Sequence, residues 1–260
     1  MIYNVVYMQE SYQILYLLLA GLLSGFMNTL ASSGTAVTLP MMIFMGIPPA
    51  VANATNRLPL LAGAMMAIFQ FHRAKFIPWR KALLLSVPLA VGTAAGVLYI
   101  GRLSDESVKY VLVFALCVSV MVMLSNRGTH FNRRPDEEAG LTWLTYLLVF
   151  LVGLWAGAIV LDSAIYLLFL LVLNQRLDIG RANAMKAVFL LVIGIVSILL
   201  FTLDGNIDYE AGILLSIGSM AGSYFGSRFA IMESSRKWIF RFIIVAIIVE
   251  MLYLVFKTRV

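Results

Sequence analysis

The sequence has few charged residues and few residues of the types that build catalytic or metal centres. Only 12% of its 260 residues are Asp, Glu, Lys or Arg, about half the share of a soluble globular domain. Its single cysteine excludes a disulfide within the chain, and two histidines argue against a metal or Ser–His site. It has no Walker loop, His-Glu-x-x-His or Gly-x-Ser-x-Gly motif. We therefore predict no enzyme, no ATP-driven pump, no metal site and no cofactor.

Long stretches without charge occupy most of the chain. The first separates Glu10 from Arg57, and the others cover residues 58–72, 82–101, 110–126, 139–161, 187–203 and 211–227. These later runs are close to the roughly 20 residues that cross a bilayer core as a helix. They lack the alternation of a β-barrel, and an open sheet cannot satisfy its backbone in lipid. The sequence predicts an all-α polytopic membrane protein.

The chain contains an internal repeat with a spacing of 130 residues. The segment VANATN at residues 51–56 aligns with RANAMK at residues 181–186. Four further pairs share this register: Ile77 with Ile207, Ser86 with Ser216, Gly92 with Gly222, and Gly96 with Gly226. One register across several segments indicates a duplicated unit. We predict one transmembrane domain over residues 1–260, with repeats at 14–125 and 141–256, and assign its Gly-x-x-x-Gly pairs to helix packing.

Two stretches have lengths that fit neither one nor two membrane crossings. Residues 14–46 would form a helix of about 50 Å, too long for one crossing and too short for two. Their middle, SGFMNTLASSGTAVTLP at residues 24–40, is rich in small and hydroxylated residues. Residues 141–173 pose the same problem in the second repeat. Two short half-helices that meet at a polar break would fit each stretch.

The distribution of positive charge favours hairpins at both stretches. If each returns to its own side, five of the 19 Lys and Arg residues share one face and the other 14 share the opposite face. The five are Arg57, Arg102, Lys109, Lys257 and Arg259. A single crossing in each stretch removes this bias, whereas basic loops normally stay cytoplasmic. The net charge of +6 therefore needs no nucleic-acid partner to explain it.

Each repeat then comprises a broken-helix hairpin and three transmembrane helices, an odd number of crossings. The two repeats are predicted to have inverted topologies, with both termini extracytoplasmic. Discontinuous helices in inverted repeats are typical of secondary transporters, and irregular backbone at this depth must face protein or a water-filled cavity. The polar break is predicted to line a substrate pathway. Close helix packing by its small residues is the alternative.

Arg57 and Lys186 are the candidate anion-binding residues. The short charge-free runs that follow them draw both cations, with their neighbours, below the membrane surface. We expect both to lie at N-terminal ends of repeat-equivalent helices, where unpaired N–H groups and the helix dipole favour an oxyanion. Snorkelling to the interface as topology anchors is the alternative.

Asp162 lies within an apolar segment, AIVLDSAIYLLFL. A carboxylate at such a position is costly and usually functional. Its candidate roles are a proton relay for coupling, a cation ligand, or the counter-ion of Lys186. The predicted substrate-binding residues come from both halves of the chain: Asn28, Ser32, Ser33, Gly34, Thr35, Asn53, Thr55, Asn56, Arg57, Ser163, Asn183 and Lys186.

The chain resembles the sulfite exporter TauE/SafE family, also called the 4-toluene sulfonate uptake permease family. The resemblance rests on ASSGTAVTLPMMIFMGIPP at residues 31–49, ANAT at 52–55 and IPWRKALLLSVPLAVGTAAGVLYI at 77–100. A weaker second copy follows. The resemblance implies movement of sulfite or organosulfonates such as sulfoacetate across the bacterial inner membrane, without an ATPase of its own.

Together, the residues and the resemblance predict a multi-pass secondary transporter of the cell inner membrane. It would export small anions by alternating access around a midplane site. A passive anion channel and a carrier of non-sulfur organic anions are the alternatives. A coupling proton or cation, and assembly as a homodimer, stay open.

Overall fold

The computed structural model of the protein describes residues 2–30, 34–100, 140–159, 163–203 and 207–232. Every secondary-structure element within these ranges is helical. In chain order the elements are α1 Ile2–Leu30, α2 Thr35–Phe44, α3 Pro49–Thr55, α4 Arg57–Arg73, α5 Trp79–Ile100, α6 Trp143–Ala158, α7 Ser163–Phe169, a π-helical turn Leu170–Asn174, α8 Ile179–Leu203 and α9 Tyr209–Ile231.

Among the described residues, three segments are long and apolar enough to cross a membrane: Tyr12–Leu30 in α1, Trp79–Tyr99 in α5, and Ile179–Leu203, which is α8. Shorter apolar helices include α2 and α6. Large apolar side chains such as Phe44, Leu199 and Leu203 remain exposed on the bundle, as a surface covered by lipid requires. The prediction of an all-α membrane protein is confirmed for the described residues.

Both predicted helix breaks are present. α1 ends at Leu30 and α2 begins at Thr35, while α6 ends at Ala158 and α7 begins at Ser163. The expectation of two short arms is wrong for the first stretch, because α1 is 29 residues long. Neither glycine nor proline interrupts residues 2–20, so the helix extends well upstream of the predicted start.

The second broken segment turns back on itself. Thr145, near the start of α6, donates through Oγ1 to Asn174 Oδ1 at 2.8 Å, at the far end of the segment. Closer to the break, Trp155 and Tyr166 meet edge to face with ring centroids 5.9 Å apart. Residues on either side of the break therefore face each other in reverse order, which is the geometry of an antiparallel hairpin.

The first broken segment has the same arrangement. Gly34 lies against the backbone of Ser24, where an added Cβ would collide with the carbonyl oxygen. Further from the break, Leu39 and Met42 of α2 share a buried cluster with Leu17 of α1. α2 thus runs back along α1.

Glycines bring the outer helices into close contact. α1 packs on α9, and α5 packs on α6. A Cβ added at Gly21 would collide with the carbonyl oxygen of Leu215, and one at Gly92 with that of Phe150. The other glycines of the Gly-x-x-x-Gly pairs make close approaches of the same kind: Gly25, Gly96, Gly153, Gly157, Gly222 and Gly226. Their predicted packing role is confirmed.

The repeat-equivalent helices α4 and α8 pack against each other in opposite directions. Arg57, at the start of α4, lies against Phe201 near the end of α8. Leu61, one turn later in α4, lies against Gly194, which comes earlier in α8. The chain directions of these two equivalent helices are therefore opposed.

One side-chain contact occurs in both halves at the spacing of 130 residues. Trp79 Nε1, at the start of α5, donates to His72 Nδ1 at 3.1 Å. At the start of α9, the hydroxyls of Tyr209 and Thr202 share a hydrogen bond of 3.0 Å. Equivalent positions in the two halves therefore make corresponding side-chain contacts.

The loops gather at two ends of the bundle. Phe76, in the loop after α4, places its ring beside Gly180 at the start of α8. At the opposite end of α4, the hydroxyl of Thr55 accepts a hydrogen bond from the backbone N–H of Asp208 at 2.9 Å. The loop after α4 and the loop before α8 consequently lie at the same end.

Candidate anion-binding site

The two helix breaks leave helix C-termini inside the protein. The last carbonyls of a helix have no partner within it, and they carry the negative end of the helix dipole. In α6 these carbonyls belong to residues 156–158, and in α1 they include those of Asn28 and Thr29. A buried carbonyl without a donor is costly. Donors for both ends come from the two predicted cations.

Arg57 and Asn53 satisfy the end of α6. The side chain of Arg57 is fully buried. Its Nη1 donates to the carbonyl oxygen of Ala156, and its Nη2 donates to that of Gly157 at 3.1 Å. Asn53 Nδ2 donates to the carbonyl oxygen of Ala158 at 3.2 Å. We call Arg57, Asn53 and these three carbonyls the Arg57 cluster.

The described partners of the Arg57 guanidinium carry no full negative charge. Phe201 covers it with a ring whose centroid lies 5.7 Å from the guanidinium carbon, a cation–π arrangement. Within the described residues its Nε has no acceptor, and no carboxylate forms a salt bridge with it. Carbonyl dipoles and a ring face are therefore the partners that the described part of the chain provides for this charge.

Lys186 satisfies the end of α1. It is 1% exposed, and its Nζ donates to the carbonyl oxygen of Asn28 and to Asn183 Oδ1, both at 2.8 Å. The carbonyl oxygen of Thr29 lies 3.4 Å away. We call Lys186, Asn183, Asn28 and Thr29 the Lys186 cluster.

The two clusters share one plan. In each, a cation from one half of the chain donates to C-terminal carbonyls of the broken helix from the other half, and an asparagine lies three or four residues before that cation. α4 supplies Arg57 to α6, and α8 supplies Lys186 to α1. A cation at a helix C-terminus is electrostatically favoured. The burial predicted for both cations is confirmed, which excludes snorkelling to the surface.

Lys186 does not lie at a helix N-terminus, and that prediction is wrong. α8 begins at Ile179, because Asp178 caps it: Asp178 Oδ1 accepts from the N–H groups of Gly180 at 2.9 Å and Arg181 at 3.1 Å. Lys186 therefore lies two turns inside α8. Arg57 does begin α4, which is separated from α3 only by Asn56.

The structure does not bring Arg57 and Lys186 together. Arg57 begins α4, whereas Lys186 lies beside Ala67 and Phe71 towards the other end of that helix. Ten residues of helix between Arg57 and Ala67 correspond to roughly 15 Å. The two clusters thus lie at different depths along the α4–α8 pair.

A small cavity adjoins the Lys186 cluster. Its empty volume is about 300 Å³, a figure that includes space on its open side. The enclosed part has room for about one water molecule. Its polar lining residues include Asn28, Asn183 and Lys186, with Ser219 and Ser223 of α9. Apolar residues such as Leu60, Phe71 and Leu190 complete the lining.

Other predicted residues lie around the first break. Thr35 is buried and its hydroxyl has no hydrogen-bond partner among the described residues, whereas Gly34 packs on Ser24. Asn56 Oδ1 accepts from Thr38 Oγ1 at 2.6 Å, which ties α2 to the junction between α3 and α4. Thr38 was not predicted, although its hydroxyl belongs to the polar stretch at residues 24–40.

The second break is described only in part. Ser163 is fully buried at the start of α7. Ser32, Ser33 and Asp162 lie outside the described residues. Sequence reasoning also missed Ser219 and Ser223, because their spacing within a Gly-x-x-x-Gly helix indicated packing alone.

Comparison with known proteins identifies the family. The sequence profile of the sulfite exporter TauE/SafE family matches residues 17–254. The chain belongs to this family. It is 25% identical over 213 residues to a "Probable membrane transporter protein" of Haemophilus influenzae, covering 80% of this chain and 81% of that protein. It is 22% identical over 237 residues to the "Probable membrane transporter protein YfcA" of Escherichia coli K12, covering 90% and 87%.

A third relative, "Probable membrane transporter protein ORF9" of a Sinorhizobium species, is 23% identical over 228 residues, with 85% and 84% covered. No solved structure gives a significant match. The TauE/SafE chain described here is therefore a membrane transporter whose relatives match over most of their length.

Proposed function

We propose that this TauE/SafE protein is a secondary transporter that exports small anions, above all sulfite and organosulfonates, across the inner membrane. The buried charge supports this assignment. Among the described residues, Arg57 and Lys186 are the fully buried charged side chains. Ionisable side chains inside a membrane protein are costly and usually functional, and a buried cation attracts an anionic guest.

The two cation clusters suggest how a guest would be handled. An oxyanion presents oxygens to the same donors that now bind the helix-end carbonyls. At the Arg57 cluster, the anion competes with Ala156 and Gly157 for the guanidinium, and its binding releases the end of α6. At the Lys186 cluster, the corresponding exchange releases the end of α1. Alternation between the two exchanges would open the pathway first to one side and then to the other.

The proposed topology places the halves in opposite orientations, with both chain termini outside the cytoplasm. The antiparallel packing of α4 on α8 and the two returning hairpins support it, as does the distribution of basic residues along the sequence. Such an arrangement provides two equivalent half-pathways, as in other secondary transporters.

The assignment is tested by sulfite flux in proteoliposomes that contain the purified protein. Arg57→Gln removes the buried charge, and Arg73→Gln removes an exposed arginine from the other end of the same helix as a matched control. Loss of charge-assisted hydrogen bonds should reduce flux at least about tenfold in Arg57→Gln, and Arg73→Gln should match the wild type. A folded Arg57→Gln protein with wild-type flux would contradict the assignment.

A passive anion channel is the second candidate. Counterflow separates the two: unlabelled sulfite inside the vesicles should drive saturable uptake of labelled sulfite through a carrier. Flux that stays linear with concentration, accompanied by single-channel currents, would favour the channel.

A further inference from the structure

Basic side chains gather in two loops at one end of the bundle. One loop joins α4 to α5, and the other leads from the π-helical turn into α8. The ring of Phe76 in the first loop lies beside Gly180 at the start of α8, so the two loops are in contact. We call the Lys and Arg residues of these loops and of the adjoining helix turns the basic surface: Arg73, Lys75, Arg80, Lys81, Arg176 and Arg181.

Two members of the basic surface have an unfavourable backbone conformation. Lys75 has φ 59° and Arg176 has φ 53°, in the left-handed region that residues with a Cβ rarely adopt. Each directly follows the last turn of a helical segment. After α4, the N–H of Phe76 donates to the carbonyl oxygen of Phe71 at 3.0 Å, the bond that closes a helix around a left-handed residue. Glycine is the usual residue at such a position.

The internal repeat places glycine at the equivalent positions. Gly46 precedes Arg176 by 130 residues and also has a positive φ, of 90°. Gly205 follows Lys75 by 130 residues in the sequence and lies outside the described residues. Since glycine adopts this conformation without the steric cost, the two cations occupy positions where glycine would be more stable. A residue held in a costly conformation points to a function for its side chain.

Aromatic side chains place the basic surface at the depth of lipid headgroups. Trp79 begins α5 and Trp143 begins α6, and both are exposed. Because α5 and α6 pack in parallel, both tryptophans lie at this end of the bundle, as is typical of residues at a membrane interface. The guanidinium carbon of Arg73 lies 5.3 Å from the ring centroid of Phe69, an exposed residue one turn earlier in α4. Arg73 therefore extends from the apolar surface towards the headgroups.

We propose that the basic surface binds the headgroups of anionic phospholipids, such as phosphatidylglycerol. Six cations are present at these two loops, where Asp178 is the acidic residue, so the charge is complementary to a headgroup phosphate. Cations at this depth attract anionic lipid and form charge-assisted hydrogen bonds with phosphate oxygens. The inference does not depend on the proposed transport of anions.

The test compares two lipids that differ in headgroup charge. The thermal unfolding midpoint of the purified full-length protein is measured in dodecyl maltoside micelles that contain phosphatidylglycerol or phosphatidylcholine with identical acyl chains. A lipid that binds the folded protein raises this midpoint. Phosphatidylglycerol should raise it by about 4 °C more than phosphatidylcholine does. Equal midpoints in the two lipids would mean that the cations act only as topology signals and would overturn the inference.

Variants at the two left-handed positions assign the effect to the basic surface. The double variant Lys75→Gly/Arg176→Gly removes two charges together with the backbone cost, so its midpoint in phosphatidylcholine should equal or exceed that of the wild type. Its additional rise in phosphatidylglycerol should fall by at least about half. The matched control, Lys75→Arg/Arg176→Lys, keeps both charges and should keep the rise. A full rise in the glycine variant would overturn the inference.

A soluble phosphate separates a lipid site from a site for free anions. Glycerol 3-phosphate, added to the phosphatidylcholine micelles at the concentration of the anionic lipid, should leave the midpoint of the wild type unchanged. A rise equal to that in phosphatidylglycerol would contradict binding of lipid at this surface. Sulfite flux in vesicles reports separately on the proposed function, so either conclusion can fail while the other stands.

Discussion

The Arg57 cluster and the Lys186 cluster place a buried cation at the same kind of helix end, yet their surroundings differ. Arg57 divides its planar fork between two consecutive carbonyls and lies under the ring of Phe201. Lys186 is a compact charge beside a small cavity whose lining includes Asn28 and Asn183. Arginine suits a bidentate and stacked position, whereas lysine occupies less space.

This difference indicates a division of roles between two related positions. We propose that the Arg57 cluster, which is closed by side chains and main chain, holds the end of α6 until an anion displaces it. We propose that the Lys186 cluster, which adjoins a cavity, is the point where an anion first binds. Variants at and around the two clusters test this difference.

The largest effect, a loss of stability, is expected at Gly25 of α1 and Gly157 of α6, where neighbouring helices pack closely. A Cβ at Gly25 would collide with the carbonyl oxygen of Ser219, and one at Gly157 with that of Thr93. Gly25→Val and Gly157→Val should each lower the free energy of unfolding by about 3 kcal/mol through overpacking. Thermal unfolding in detergent measures this, with Gly140→Ala as the control because no heavy atom lies within 4 Å of its added Cβ. Stability unchanged in either valine variant would contradict the packing described.

Replacing either cation by the other type should have an intermediate effect on sulfite flux, and the size of the effect should differ between the clusters. Arg57→Lys keeps the charge but leaves one of the two α6 carbonyls without its donor, so sulfite flux should fall about tenfold. Lys186→Arg forces a guanidinium into a space for about one water, and its flux should fall further. Vesicle flux at equal protein content measures both. Equal losses in the two variants would erase the proposed division of roles.

The smallest effect on stability is expected at Ser197, which lies along α8 between Lys186 and Phe201. Ser197 of α8 is fully buried, and its hydroxyl has no hydrogen-bond partner within the described structure. Ser197→Ala removes an unsatisfied polar group, so the free energy of unfolding should stay the same or rise by about 1 kcal/mol. A clear loss of stability would mean that this hydroxyl has a partner, such as a bound water or anion, in the functioning protein.

Much of the architecture could be predicted from sequence, because it depends on length and charge. The stretch at residues 14–46 exceeds one crossing, and its polar middle marks the place where α1 ends. The burial of Lys186 followed from the short charge-free run after it. These are local properties of the chain, and the structure confirms them.

The partners of the cations could not be predicted in the same way. Which helix end meets Arg57 depends on the packing of α4 against the other half of the chain, and no residue near Arg57 encodes that contact. The predicted start of α8 is wrong because the capping carboxylate of Asp178 is nine residues before Ala187, where the charge-free run begins. The cavity arises from the packing of α1, α4, α8 and α9, so no single stretch of sequence predicts it.

The opposed orientation of the two halves is the central claim, and one labelling measurement tests it most directly. Arg80 and Glu210 are exposed second residues of α5 and α9, 130 positions apart. Each is replaced by cysteine in a Cys117→Ala background and labelled with a membrane-impermeant maleimide in intact cells and in inverted vesicles. The account predicts that Arg80→Cys reacts only from the cytoplasmic side and Glu210→Cys only from the outside. Reaction of both positions from the same side would contradict it.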